Sequence, residues 1–324
     1  MILALDADDV AAACPMKGCI EEMSRTFALQ AKGRIESPLR TRLAAPGGDV
    51  LVMSSLVKRR RVEGSVKVVS VFPQDRGERP SISATLLLID GETGEAKALL
   101  EGARLTAIRT GAVSGLSCRY LARGDSKTLG VIGAGAQAYE QVSGVVTEVG
   151  GVERVKVFSR HLAKSKALAK AFAKAFKVDA RAEDSAGAAV KRSDVIVTAT
   201  TSKTPVIEGS VVEEGTHVIA IGAYRPDARE LDSSLVARSS LFVDSRDAAK
   251  EAGDLLIPMA EGLVSKGSVK ADLSELVTGT KKGRVSESEV TVFKSVGLAF
   301  EDNAAGWLAY RSALRMKLGK WVEL

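Results

Sequence analysis

The stretch 128–138, Thr-Leu-Gly-Val-Ile-Gly-Ala-Gly-Ala-Gln-Ala, constrains the fold more than any other part of this chain. A short apolar run ends in Gly133-x-Gly135-x-x-Ala138 and opens into a segment without proline. That is the grammar of a strand handing a dinucleotide pyrophosphate to a helix N-terminus. Gly133 permits the tight turn, Gly135 lets backbone amides approach the phosphates, and Ala138 keeps the helix close to the strand. Alone the motif is a weak signal, because small-residue strand-to-helix turns also occur with nothing bound. A whole domain's length of sequence precedes it, and that leader must serve another purpose.

After Gly124 short apolar runs alternate with helical patterns. Strands are expected at 128–132, 155–158, 194–200, 217–222 and 241–244, with helices between most of them. This is the βαβ signature of a parallel, doubly wound sheet. The leader reads differently. A helix is expected over 8–32, with Met16, Ile20, Met23 and Phe27 at helical spacing, then strands at 50–57, 65–72 and 81–90. Glu92-Thr93-Gly94 reads as a hairpin turn, and Leu105, Ile108, Ala112, Val113, Leu116 and Tyr120 form one helical stripe. Residues 289–324 are expected to return to this first, mixed α+β unit. The fold class is therefore α/β: a Rossmann-type doubly wound parallel sheet plus an α+β domain.

The 46 Lys and Arg against 40 Asp and Glu leave a net charge of +6, which raises nucleic acid as a partner. Only 4% of residues are aromatic, and none interleave with the basic residues as stacking platforms require. The lysines of 163–177 read as a solvated helix face, so no nucleic acid is expected. An acidic small molecule or a phosphorylated cofactor fits the charge equally well. Cys14, Cys19 and Cys118 show no metal spacing, and His161 and His217 are too few for a zinc cluster. No metal is expected, and reduced cysteines suit a cytoplasmic location. Asp6, Asp8 and Asp9 stand where a signal peptide would be basic, and no apolar run reaches the roughly 18 residues of a membrane span.

Three places carry candidate chemistry. The strand 155–158 ends in Ser159-Arg160-His161 with no acid, whereas an NAD site would have Asp or Glu there. Ser159 and Arg160 suit the 2′-phosphate of NADP(H), with NAD(H) as the alternative. Lys67 shares a strand face with Val69 and Val71. The strand alone leaves two readings open, a buried lysine with a lowered pKa or an edge lysine facing water. Arg109 lies within the apolar stripe of its helix, and Arg40 sits in Ser37-Pro38-Leu39-Arg40-Thr41. Each could clamp an anion or serve only structure.

These residues fall in a familiar order. The chain resembles the ornithine cyclodeaminase/mu-crystallin family along nearly its whole length. The matching stretches are 37–41, Lys67-Val-Val-Ser-Val-Phe-Pro73, Ser83-Ala-Thr-Leu-Leu-Leu88, Leu105-Thr-Ala-Ile-Arg-Thr-Gly-Ala-Val-Ser114, Gly133-Ala-Gly-Ala-Gln137, Gly222-Ala-Tyr-Arg-Pro-Asp-Ala-Arg-Glu-Leu-Asp232 and Val292-Phe-Lys-Ser-Val-Gly297. The resemblance implies a homodimer, with residues 1–118 and 300–324 forming a substrate-binding and dimerisation domain and 119–299 an NAD(P)-binding Rossmann domain. It implies that Arg40 and Arg109 hold a substrate carboxylate, that Lys67 is the acid/base, and that Thr85 lines the pocket. On the cofactor side it points to Thr110, Gly133, Gly135, Ala136, Gln137, Ser159, Arg160, Thr200 and Lys294.

One departure bears on the activity. The family's cyclodeaminases and archaeal alanine dehydrogenases are expected to carry an Asp after the Gly-Ala pair, where this chain has Tyr224. A phenol with a pKa near ~10 is a poor substitute, and Asp227 stands three residues on. The resemblance therefore favours the ketimine-reductase branch, with an NADPH-dependent reduction of a C=N bond in Δ1-pyrroline-2-carboxylate or Δ1-piperideine-2-carboxylate. The alternatives are ornithine cyclodeaminase, alanine dehydrogenase and a non-catalytic, crystallin-like nucleotide binder.

Overall fold

A proline divides the helical stretch expected at 8–32. Pro15 has no N–H to give to a helix interior, so it stands at the N-cap between helices Ala7–Ala13 and Met16–Ala31. The computed structural model describes residues 1–72 and 82–323; Pro73 and Ser81, at the ends of stretches singled out above, lie outside the described residues. The chain divides into two compact units, Met1–Thr110 with Gly297–Leu324, and Gly111–Val296.

The first unit is built on a mostly antiparallel sheet. Its strands are β1 (Ile2–Leu5), β2 (Ile35–Glu36), β3 (Thr41–Ala45), β4 (Gly48–Lys58), β5 (Val62–Val71), β6 (Ile82–Asp90) and β7 (Ala96–Glu101). The order runs from the C-terminal strand Lys320–Val322 through β1, β7, β6, β5 and β4 to β2, with β3 also paired to β4. Period-2 alternation puts Leu51, Met53, Ser65, Lys67, Val69, Leu86 and Leu88 on one buried face. Helix Ala299–Met316 covers that face. Asn303 Nδ2 donates to the Glu63 carbonyl at 2.9 Å, and Trp307 Nε1 donates to that of Gly64 at 3.1 Å. A Cβ on Gly306 would lie 2.5 Å from Leu86 Cδ2, so the helix sits hard against β6 there.

The second unit holds β8 (Thr128–Ile132), β9 (Arg154–Phe158), β10 (Asp179–Ala182), β11 (Val195–Thr198), β12 (His217–Ala220), β13 (Ser240–Val243), β14 (Val269–Asp272) and β15 (Thr291–Lys294). Their order is β10-β9-β8-β11-β12-β15-β13-β14, every pair parallel. Strands β8, β11, β12, β13 and β15 are buried throughout, as a sheet covered on both faces requires. One expectation is corrected. The stretch from 289 does not return directly to the first unit, because β15 inserts between β12 and β13 and the return begins at Gly297. The chain leaves the first unit at Thr110, inside helix Gly102–Leu121 rather than after 118.

The later half of that helix meets helix Ala138–Val149 at two glycines. A Cβ on Gly144 would fall inside van der Waals contact of the Gly111 carbonyl oxygen, and one on Gly111 would strike that of Glu140. Substituting Gly144→Ala should therefore destabilise the protein by about 1–3 kcal/mol, as overpacking of a tight interior does. Urea unfolding would read this, and an unchanged midpoint would mean the crossing relaxes freely. Among the described residues, no helix is long and apolar enough to cross a membrane.

Candidate functional site

Each unit gathers its own group of candidate side chains. In the first, β5 delivers Lys67 to the buried face, where its side chain is 2% exposed. The open question about its strand is settled by pairing: β5 lies between β4 and β6, opposite Met53 and Leu86, and is no edge. Its ammonium lies 2.6 Å from Asp302 Oδ2 and donates to Thr106 Oγ1 at 3.3 Å. Burial pushes the ammonium down from 10.5 to about 8; Asp302 opposes that shift, while Arg109 and Arg40 add to it.

Arg109 is just as buried. Its Nε donates to Asp302 Oδ1 at 3.0 Å and its Nη1 to Glu301 Oε2 at 2.5 Å. Arg40, half-buried in the loop before β3, donates from Nη2 to the Gly297 carbonyl at 3.0 Å. Gly297 itself has φ +75°, and a Cβ there would come within 2.5 Å of Arg109 Nη1. Only glycine both adopts that backbone and lets the chain cross the guanidinium so closely. Lys67, Arg40 and Arg109 are thus brought together, with Glu301 and Asp302 as partners the sequence reading missed.

Thr85 is not part of this group. It pairs with Val68, whereas Lys67 pairs with Leu86, so the pleat turns Thr85 to the opposite face, where it is exposed. Thr110 closes the first unit, and its hydroxyl donates to the Thr106 carbonyl of its own helix at 2.6 Å.

In the second unit, a pocket of about 690 Å³ opens at the carboxyl ends of β8, β9 and β11. Strand order reverses between β8 and β11, the switch point where open α/β sheets take ligands. Gly133, Gly135, Ser159, Arg160 and Thr200 all line it. Gly133 has φ +112°, and a Cβ there would strike the Ala199 carbonyl oxygen; a Cβ on Gly135 would meet nothing within 4 Å among the described residues. The turn is therefore closed against the protein and open toward the pocket. Among the described residues no side chain caps helix Ala138–Val149, so its dipole is free to meet an anion. Ala136 is exposed beside the turn, and Gln137 Oε1 is buried without a hydrogen-bond partner among the described residues. An uncapped helix start, an orphaned acceptor and an open glycine turn together fit a dinucleotide. Among the described residues, Arg160, His161, Lys164 and Lys203 line the pocket and no carboxylate does. Ser159 Oγ donates to the His161 carbonyl at 3.0 Å and lies 2.9 Å from Ser165 Oγ.

Lys294 points elsewhere. Its side chain is 1% exposed and its ammonium pairs with Asp254 Oδ2 at 2.9 Å, so it is an interior charge and does not line the pocket. Asp254 Oδ1 accepts from the backbone N–H groups of Glu230 and Leu231 at 2.7 and 2.9 Å. Glu230 in turn accepts from the N–H groups of Thr200 and Gly222 at 2.6 and 2.7 Å and from the Thr198 hydroxyl at 2.9 Å. Burial pushes the Glu230 carboxyl up, and the Lys294 charge pulls it back. This linked set ties the ends of β11 and β12 together beneath the pocket, and the sequence reading assigned it no role. Tyr224 is half-buried after β12, while Asp227 is exposed and accepts from Arg225 Nε at 3.1 Å.

Comparison with known proteins supplies the context. The profile of the ornithine cyclodeaminase/mu-crystallin family matches residues 3–317. The chain is 37% identical over 295 residues to Δ1-pyrroline-2-carboxylate reductase of Bacillus cereus, covering 90% of each sequence. It is similar to the solved Thermococcus litoralis Δ1-pyrroline-2-carboxylate reductase in complex with NADH and L-proline, with 40% identity, a TM-score of 0.95 and coverage of 99% and 100%. It is also similar to an archaeal alanine dehydrogenase dimer with bound NAD, at 30% identity, TM-score 0.92 and 99% coverage of each chain.

Proposed function

The chain belongs to the ornithine cyclodeaminase/mu-crystallin family, and from that premise we propose that it reduces the C=N bond of a small cyclic imino acid such as Δ1-pyrroline-2-carboxylate, using a nicotinamide dinucleotide. The observation that carries this reading is the buried Lys67, with Asp302, Arg109 and Arg40 gathered around it in the first unit. The bound dinucleotide supplies the hydride. Arg40 and Arg109 orient the substrate through its carboxylate, Arg40 from the loop and Arg109 from a fixed frame. Lys67 donates an Nζ proton to the imine nitrogen as hydride adds to the carbon. The C=N π pair becomes the new N–H bond, and water returns a proton to the lysine. Tyr224 offers no carboxylate to activate water or a second amine, which favours reduction over cyclodeamination.

The finer cofactor reading is NADP(H). Among the described residues three cations and no acid line the pocket at the end of β9, a setting suited to a 2′-phosphate. Gly133, Gly135, Ala136, Gln137, Ser159 and Thr200 hold the rest of the dinucleotide in this reading, with Thr110 toward its phosphates. Arg160→Ala should raise KM for NADPH about 10–100-fold, the worth of a charged hydrogen bond, and leave KM for NADH nearly unchanged. Equal effects on both nucleotides would return the preference to NAD(H).

A homodimer is supported by the outer face of the first unit's sheet. Val50, Val52, Val66, Val68, Leu87 and Leu99 are half-buried or exposed there, and Thr85 belongs to the same face. An apolar sheet face of this extent suits a second copy. The activity is tested by following NADPH and NADH oxidation with Δ1-pyrroline-2-carboxylate, then with pyruvate plus ammonia, and by measuring proline formed from ornithine with NAD+. Turnover of ornithine without net cofactor change would overturn the reductase reading.

A further inference from the structure

Three consecutive polar residues, Glu301, Asp302 and Asn303, are fully buried in the first turn of helix Ala299–Met316. Their partners differ. Glu301 takes Arg109 Nη1, Asn303 takes the backbone of β5, and Asp302 divides its two oxygens between Arg109 Nε at 3.0 Å and Lys67 Nζ at 2.6 Å. We propose that Asp302 is the positioning residue of this site, holding the proton donor and the Arg109 guanidinium in one fixed relation and keeping the donor charged. This rests on the reductase reading given above.

Among the described residues, the polar groups that act on Lys67 are Asp302 from the C-terminal helix, Thr106 and Arg109 from helix Gly102–Leu121, and Arg40 from the loop before β3, while the flanking strands β4 and β6 present Met53 and Leu86. Two of the three charges are positive, so Asp302 supplies the negative charge in contact with the ammonium. Glu301 lies one step away, bonded to Arg109. Without the Asp302 charge, Lys67 would face two guanidinium groups and a hydroxyl in a buried setting. It would then release its proton at lower pH, as a desolvated lysine does.

The test compares pH profiles of kcat/KM for imine reduction. Asp302→Asn keeps the shape and removes the charge, so the alkaline limb should move down by at least about one pH unit, with activity at pH 9 falling about tenfold or more. Asp302→Glu should lower kcat while leaving the limb in place, because the charge is kept and the geometry lost. Glu301→Gln should lower activity without moving the limb. A folded Asp302→Asn enzyme whose limb stays at the wild-type pH would overturn the proposal. So would an Asp302→Glu limb displaced as far as that of Asp302→Asn. If Asp302→Asn does not fold, the Asp302→Glu profile decides. Titration of the Lys67 Nζ resonance in 15N-lysine-labelled protein, assigned through Lys67→Arg, reads the same coupling without turnover. Wild type that reduces no cyclic imino acid would refute the function alone, and the Nζ titration would still judge Asp302.

Discussion

Lys67→Met is expected to lower kcat for imine reduction by about 10²–10⁴-fold, the usual worth of a positioned general acid. Methionine fills a similar volume and leaves Arg109 to neutralise Asp302, so a variant that still folds isolates the lost proton. Hydride addition to an unprotonated imine would have to place negative charge on nitrogen in a buried site. The pH dependence has a definite sign. Lys67 donates only while charged, and burial brings its pKa to about 8. The reduction rate should hold below that value and fall as pH rises through it, whereas an unperturbed lysine would stay charged to about 10.5. The reverse reaction, amine oxidation, should gain over the same interval. Steady-state rates across pH 6–10.5 for wild type and variant would check both statements. A Lys67→Met enzyme within about tenfold of wild type would remove the acid/base role.

Arg109→Ala should be the most destabilising single change in the first unit, by about 3–5 kcal/mol. The reason is what it leaves behind. Glu301 and Asp302 have side chains 0% and 1% exposed, and Arg109 satisfies both through separate nitrogens. Removing it takes the paired guanidinium from Glu301 Oε2 and from Asp302 Oδ1, both buried. Arg109→Lys should recover only part of the loss, because one ammonium cannot present the guanidinium fork to two carboxylates. Urea unfolding followed by circular dichroism would measure both. A loss of under about 1 kcal/mol for Arg109→Ala would show that the acids protonate or rehydrate without penalty.

Much of the architecture was legible because it is written locally. The strands of the parallel sheet are short apolar runs bounded by turn residues, and the glycine turn at 133–135 marks where the cofactor pocket opens. Period-2 alternation put Lys67 on the right face. What escaped depends on register and on partners far away in sequence. Thr85 was misplaced because the side it faces relative to Lys67 follows from how β5 pairs with β6, not from either strand. Residues 291–294, Thr-Val-Phe-Lys, form a short strand, yet nothing local says which sheet such a strand joins. Glu301 and Asp302 look like ordinary acids favouring a helix N-terminus, and only the docking of that helix on β5 reveals them as buried counter-ions. Lys294 was expected on the cofactor side from the resemblance alone, and the buried Asp254 that pairs with it is not apparent from sequence.

The discontinuity of the first unit has a consequence for the order in which the molecule is made. Arg109 and Asp302 stand 193 positions apart, with the whole of the second unit synthesised between them. Domains on a ribosome usually fold in the order they emerge. Here the continuous segment Gly111–Val296 can close its sheet at once, whereas Met1–Thr110 emerges first yet must wait for its last helix. Until that helix arrives, Lys67 and Arg109 are two cations sharing an unfinished interior. The buried cluster of Lys67, Arg109 and Asp302 therefore cannot form until helix Ala299–Met316 has been made.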